Sequence, residues 1–215
     1  MLLKANNRMR PGRKLDDAAR FLGAWSKNPL RTGAIAPSSR ALARQMAYAA
    51  AANPGVKIVE LGPGTGVVTD ALLDAGVMEE HLTLIELNDG FANLLGQRYP
   101  KATVCVDDAF SALISIDRLA QPISAVVSSL PLFVYPKKTR QLLCEQALAL
   151  VGPYGRLVQF TYGPVSPIVL SGQIRATRSR RIWGNLPPAT VWTYQANLRP
   201  GACLDDDQIQ PIAAE

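Results

Sequence analysis

The chain is short of the residues that staple, ligate or span. Its three cysteines, Cys105, Cys144 and Cys203, are widely spaced, and its one histidine is His81. That inventory indicates neither a disulfide framework nor a zinc site, and no metal is expected. His81 follows Glu79 and Glu80 and precedes an apolar run, which reads as a solvated loop residue rather than a catalyst. No apolar stretch reaches the ~20 residues that cross a bilayer. The longest candidate, around 46–52, is alanine-rich and too short. A secretion signal is also missing, because Asn6, Asn7, Arg8 and Arg10 interrupt the basic N-terminus, so a cytoplasmic location is expected. With 48% hydrophobic and 19% charged residues over 215 positions, one globular domain with short extensions accounts for the chain.

Charge is unevenly placed. Residues 1–31 carry Lys4, Arg8, Arg10, Arg13, Lys14, Arg20, Lys27 and Arg31 against Asp16 and Asp17, a balance of +6 that equals the formal net charge of the whole chain. A second basic run, Arg175, Arg178, Arg180 and Arg181, is offset by Asp205, Asp206 and Asp207. A basic arm on a neutral body points to an anionic surface, either nucleic acid or lipid headgroups. In the arm, Leu15, Ala18, Ala19, Leu22 and Trp25 share one helical face, so it reads as an amphipathic helix that lies on a membrane or packs on the domain after it.

The most informative stretch is "KIVELGPGTGVVTD", residues 57–70. Val56, Ile58, Val59 and Leu61 suit a buried parallel strand, while Val67, Val68, Ala71, Leu72 and Leu73 recur at helical spacing. Gly62, Gly64 and Gly66 therefore sit at a strand-to-helix turn, where backbone N–H groups approach a ligand closely. The dinucleotide pattern needs its third glycine one residue later, where Val67 stands, and a phosphate-binding loop needs a lysine that is absent. S-adenosylmethionine is the common occupant left, since its methionine end requires no phosphate cradle.

Downstream, strands are expected at 82–87, 102–106, 123–128, 156–162 and 191–196, and helices at 90–99 and 137–151; upstream, Ser38 or Ser39 caps a helix of good helix formers. This alternation predicts a mostly parallel sheet covered on both faces. Glu86 ends the second strand, 20 residues after Gly66, where a carboxylate can accept from both ribose hydroxyls of an adenosine. Asp108 and Ala109 end the third strand, where a carboxylate can take the adenine amine. Asp107 is the poorer choice, because neighbouring strand side chains point to opposite faces. Signals at three successive strand ends fit ligand binding along the carboxyl edge of an open α/β sheet.

The fourth strand reads "AVVSSLPLF". Enzymes that methylate exocyclic base amines carry Asn or Asp, then x-Pro, then Tyr or Phe here, with the aromatic ring stacking on a flipped base. The matching positions are Ser129, Leu130, Pro131 and Leu132, with neither amide nor ring; Phe133 or Tyr135 is the ring left to substitute. A turn with exposed carbonyls at Ser129 and Leu130 suits an aliphatic amine.

"TGAIAPSS" (32–39), "VELGPGTG" (59–66), "SSLP" (128–131), "YGPVSPI" (162–168) and "NLPPATVWTY" (185–194) together resemble the small bacterial phosphatidylethanolamine N-methyltransferases of the rhizobial soluble-domain type, in the same order from about Lys14 to Tyr194. The resemblance implies a Rossmann-like class I methyltransferase with a seven-stranded sheet. It further implies S-adenosylmethionine as cofactor and S-adenosylhomocysteine as product. Stepwise methylation of phosphatidylethanolamine to phosphatidylcholine and peripheral attachment to anionic lipids of the inner membrane follow, with nucleic acid excluded and the protein monomeric. It implies a cofactor site of Thr32, Gly33, Glu60, Gly62, Gly64, Gly66, Glu86, Leu87, Asp108, Ala109 and Ser128. Ser129, Leu130 and Tyr162 would act on the amine. Pro131, Tyr135 and Trp192 would line the substrate site, with Arg31, Arg178 or Arg180 on the lipid phosphate. Residues 1–31 are expected as a membrane-binding arm, 32–197 as the methyltransferase domain and 198–215 as an extension. An rRNA adenine dimethyltransferase-like enzyme and a non-catalytic S-adenosylmethionine-binding docking protein are the alternatives.

Overall fold

Short β-branched runs alternate with segments of helical period, and in the computed structural model, which describes residues 39–50, 55–116 and 122–197, they form one sheet with helices on both faces. The strands are β1 (Lys57–Leu61), β2 (Leu82–Glu86), β3 (Thr103–Val106), β4 (Ile123–Ser128), β5 (Arg156–Thr161), β6 (Ile174–Arg178) and β7 (Thr190–Ala196). The helices are α1 (Arg40–Ala50), α2 (Val67–Asp74), α3 (Asp89–Arg98), α4 (Ala109–Ser115) and α5 (Lys137–Val151). The arm over residues 1–31, with Arg31, and the positions Thr32, Gly33 and 198–215 lie outside the described residues. Among those described, no helix is long and apolar enough to cross a membrane.

Strand order is β3-β2-β1-β4-β5-β7-β6, with β7 antiparallel to both neighbours and the remaining pairings parallel. The expected mostly parallel, seven-stranded sheet is therefore present. β1, β2 and β4 are buried almost without break, as strands covered on two faces must be. One apolar cluster packs Val59, Leu61, Val126 and Leu157 against α4 and α5; the other packs Ile58, Ala125, Val127 and Val158 against α1, α2 and α3. Ser39 caps α1, its Oγ accepting from Leu42 N at 3.2 Å, and Ser38 lies outside the described residues.

Register decides where the strand ends fall. Leu61 lies opposite both Ile85 and Ser128, and Glu86 opposite Val106. The ladder continues past β1 as Gly62 N donates to Ile85 O and Ser129 N to Leu61 O, both at 2.9 Å. Residues 62, 87, 107 and 129 are thus delivered to one edge.

The strand absent from the sequence reading is β6, which was seen only as a basic run. It is the outermost strand, and its burial pattern is open at four of five positions. Charge on an edge strand blocks pairing with other chains, and here it hides the apolar alternation that marks a strand.

Gly66 opens α2 at φ 84°. A Cβ there would come within 2.7 Å of the Tyr99 hydroxyl, which bonds Asp70 Oδ1 at 2.6 Å, and Asp70 pairs in turn with Arg98. Gly66→Ala is expected to lower stability by ~1–2 kcal/mol from the left-handed backbone alone, with Tyr99 displaced in addition. Urea unfolding of the two proteins would check this, and equal midpoints would refute it.

Candidate functional site

A cavity of about 490 Å³ opens at this carboxyl edge, walled by the ends of β1, β2, β3 and β4 and the turns that follow them. Its size suits a small molecule of ~300–1,000 Å³ pockets. Of the residues singled out in the sequence it gathers Gly62, Gly64, Glu86, Leu87, Asp108, Ala109, Ser129, Leu130, Pro131 and Tyr135. Ile85, Asn88, Asp89, Gly90 and Phe91 join them unforeseen, and so does Asp107, the carboxylate ranked behind Asp108.

Glu86 organises the floor. Its Oε2 accepts from Gly64 N at 3.0 Å and its Oε1 from Asn88 N at 2.9 Å, so one carboxylate ties the glycine turn to the β2–α3 turn. A carboxylate offers about four acceptor positions, and two remain for a pair of hydroxyls. A Cβ at Gly64, where φ is +57°, would meet nothing within 4 Å. Bare backbone therefore faces the cavity.

Asp108 caps α4, its Oδ1 accepting from Phe110 N at 3.0 Å and Ser111 N at 3.2 Å. Asp107 shares the cavity wall, contrary to the alternation argument, because β3 ends at Val106 and strand geometry no longer governs the pair. Tyr135 stands buried edge-to-face on Phe110, ring centroids 5.4 Å apart. Burial first, and then the Asp108 charge, hold its phenol above its ordinary range.

The SSLP turn differs from expectation in one atom. The Leu130 carbonyl already accepts twice, from Leu132 N and from Gln159 Nε2, each at 2.9 Å, so it has no lone pair for a substrate amine. Gln159, on β5 and wholly buried, went unnoticed in the sequence; it fixes this turn from 29 residues away. The Ser129 carbonyl accepts no hydrogen bond from the described residues, and the buried Ser129 Oγ has no partner.

Other expected site residues fall elsewhere. Glu60 is wholly buried on the α2 face, its Oε2 accepting from Thr69 Oγ1 at 2.8 Å, because the residue before Leu61 points to the opposite side of β1. Burial, with smaller contributions from Glu86 and Asp70, pushes its carboxyl up to about 8 against the Thr69 bond. Gly66 serves the packing of Tyr99 rather than the cavity, and Ser128 is buried with its Oγ accepting from Leu130 N at 3.4 Å. Tyr162 and Trp192 lie on opposite faces of the sheet. Tyr162 sits edge-on to Phe160 on the α1 face, and burial pushes its phenol up to about 12. Trp192 is buried on the α5 face, donating to Thr161 Oγ1 at 3.1 Å. They do not face one common site. Arg178 ends β6 and lines a separate groove with Gln45 and Tyr48 of α1, three strand spacings or ~14 Å from β4. Arg180, just past it, is exposed. Among the described residues no cluster of His, Cys, Asp and Glu is placed to hold a metal ion.

No protein-family model matches the chain. Over 148 residues it is 28% identical to an ornithine lipid N-methyltransferase of Singulisphaera acidiphila, covering 67% of this chain and 77% of that protein. Over 52 residues, 24% of this chain and 19% of the other, it is 44% identical to ribosomal RNA small subunit methyltransferase A of Maridesulfovibrio salexigens. Among solved structures, the 1,6-didemethyltoxoflavin-N1-methyltransferase of Burkholderia thailandensis, with bound S-adenosylhomocysteine, matches at TM-score 0.62 and 12% identity, over 91% of this chain and 94% of that one. The O-methyltransferase TomG of Streptomyces achromogenes, in complex with SAM, matches at TM-score 0.60 and 17% identity, over 91% and 92%. At such identities the likeness is one of fold: the chain has the Rossmann-like class I methyltransferase fold.

Glu60 yields a pH prediction. With its folded value raised from 4.5 to about 8, the folded protein holds a proton that the unfolded chain releases first. The stability this confers is complete below pH 4.5 and is lost as pH rises through 8. Glu60→Gln should therefore gain melting temperature relative to wild type as pH is raised from 5 to 8. A difference constant with pH would rule the buried neutral carboxyl out.

Proposed function

We propose that this protein transfers a methyl group from S-adenosylmethionine to the headgroup amine of a membrane phospholipid, with phosphatidylethanolamine as first acceptor and its mono- and dimethyl forms as later ones. The observation that carries the reading is the wall at Ser129–Pro131. It offers a carbonyl without a partner, suited to an amine N–H, and its three side chains carry neither the amide nor the stacking ring found in base-amine methyltransferases, Tyr135 being the ring that lines the cavity nearby. The resemblance to an ornithine lipid N-methyltransferase over 67% of the chain supports a lipid amine, while the match to the ribosomal RNA enzyme spans only 24%.

The cavity fits the cofactor on its own chemistry: bare glycine backbone, a Glu86 carboxylate with acceptor positions to spare for two hydroxyls, and an Asp107–Asp108 pair for an exocyclic amine. When bound, the cofactor supplies an electrophilic methyl on a sulfonium. The chain's part is to hold the amine. Ser129 O would accept an N–H of the primary or monomethyl amine and aim the nitrogen lone pair along the cavity, while the neutral dimethyl form, which has no N–H, would be held by the cavity walls. This matters because most of the barrier reduction comes from holding reactants ~3–3.5 Å apart in line. The amine must be neutral to attack, and the Leu130, Pro131 and Tyr135 side of the cavity disfavours its charged form by excluding water. With the cofactor held by the glycine turn and Glu86, the nitrogen would take the methyl from the sulfonium, and the ammonium formed would lose one proton to solvent before a next round. No covalent enzyme intermediate is required.

The ornithine lipid relative favours a second acceptor of the same chemistry, the primary amine of an aminoacyl lipid. Purified protein given labelled S-adenosylmethionine with phosphatidylethanolamine, ornithine lipid or ribosomal RNA should place label in lipid. Label in RNA alone, or in none, would overturn the proposal. Glu86→Ala should weaken binding of the cofactor by ~1.5–3 kcal/mol in calorimetry, since the bonds lost go to a charged acceptor; unchanged affinity would remove Glu86 from the site.

A further inference from the structure

The domain is split by charge along the sheet. Residues 55–116, which build β1, β2 and β3, carry nine acidic and three basic residues, whereas 122–197, which build β4 to β7, carry eight basic residues and one acid, Glu145. At the carboxyl edge the basic half ends in three connections, β4–α5, β5–β6 and β6–β7, each with apolar side chains in solvent, and the first and last carry an exposed aromatic ring. Phe133 and Val134 are 53% and 43% exposed, immediately before Lys137 and Lys138. Trp183 and Leu186 are 77% and 81% exposed, two and five residues after Arg181.

Neither tip is loose. Phe133 stands in a single 3-10 turn closed by Val134 N to Pro131 O and Tyr135 N to Leu132 O, both 3.0 Å, with the Arg140 guanidinium 5.0 Å from its ring centroid. The other tip is clamped by paired Ile182–Ala189 backbone bonds of 2.8 and 3.2 Å. Buried Asn185 accepts from Ser39 N and donates to Pro187 O, both at 2.8 Å. The backbone is ordered with its polar residue turned in and Trp183 and Leu186 turned out. Two rigid apolar prongs on one edge, each beside cations, match a plane with an apolar layer beneath an anionic one rather than a single continuous protein groove.

We propose that the carboxyl edge of the β4–β7 half is a docking face for bilayers containing anionic lipid. The prongs enter the headgroup boundary, where aromatic and aliphatic side chains partition, and the neighbouring cations lie against lipid phosphates. This rests on the reading that the substrate is a membrane lipid, because Pro131 in the cavity wall runs directly into the Phe133 turn.

The test uses the full chain with Trp25→Phe, so that Trp183 reports above the buried Trp192. Vesicles of phosphatidylethanolamine with phosphatidylglycerol should shift Trp183 emission to the blue, and lipids brominated high on the acyl chain should quench it. Replacing Phe133, Val134, Trp183 and Leu186 together by Ser should lower vesicle partitioning by about tenfold or more, while methyl transfer to dispersed short-chain phosphatidylethanolamine stays within about twofold of wild type. Unchanged Trp183 emission on vesicles that bind the protein would overturn the docking face. So would wild-type partitioning by the fourfold variant, or Trp183 already shielded from iodide without lipid. Insertion of Trp183 with no methylation of any lipid would keep the face and sink the proposed reaction; methylation without insertion would do the reverse.

Discussion

A parallel ladder held in register is the constraint from which the rest follows. Because β1 lies between β2 and β4 with Leu61 opposite Ile85 and Ser128, three chain segments far apart in sequence leave the sheet at one level. Glycine at 62 and 64 then lets the backbone turn without filling the space, and Glu86 fastens two of the departing turns to each other. A one-residue slip in β2 would turn Glu86 to the other face and leave the N–H groups of Gly64 and Asn88 without their acceptor. The cavity is thus a property of pairing as much as of the residues lining it.

What was legible in the chain was local. The glycine turn, the acid at the end of β2, the cap of α1 and the span of α5 all rest on chemistry within a few residues, and the structure has them where the pattern put them. What was hidden depends on long-range contact. Gln159 silences the Leu130 carbonyl across 29 positions, which no window of sequence reveals. Tyr162 and Trp192 sit close to conspicuous motifs, yet the antiparallel pairing of Gln159 with Trp192 sends the indole to the α5 face while Tyr162 joins Phe160 on the other. Arg178 lies away from the cavity for a topological reason, since β7 is inserted between β5 and β6 and carries the last strand off to the edge of the sheet.

The SSLP turn shows how backbone can be set by a distant side chain. With Leu130 O saturated by Leu132 N and Gln159, and Ser129 N bound to Leu61 O, the Ser129 carbonyl is the acceptor left over in the segment. Its direction is settled by the fold, before any ligand arrives.

The charge division carries a consequence of a different kind. Nine acids on one side of the sheet and eight bases on the other make the described part of the molecule a strong electric dipole lying across the strands. In a field such a body experiences a torque as well as a pull, and the range over which the torque acts is set by the ~10 Å screening length of 0.1 M salt. The same dipole lets the acidic flank of one copy attract the basic flank of the next. Head-to-tail association of that sort does not close on itself, and dilute buffers, which lengthen the screening distance, are where it would thicken a solution of this protein.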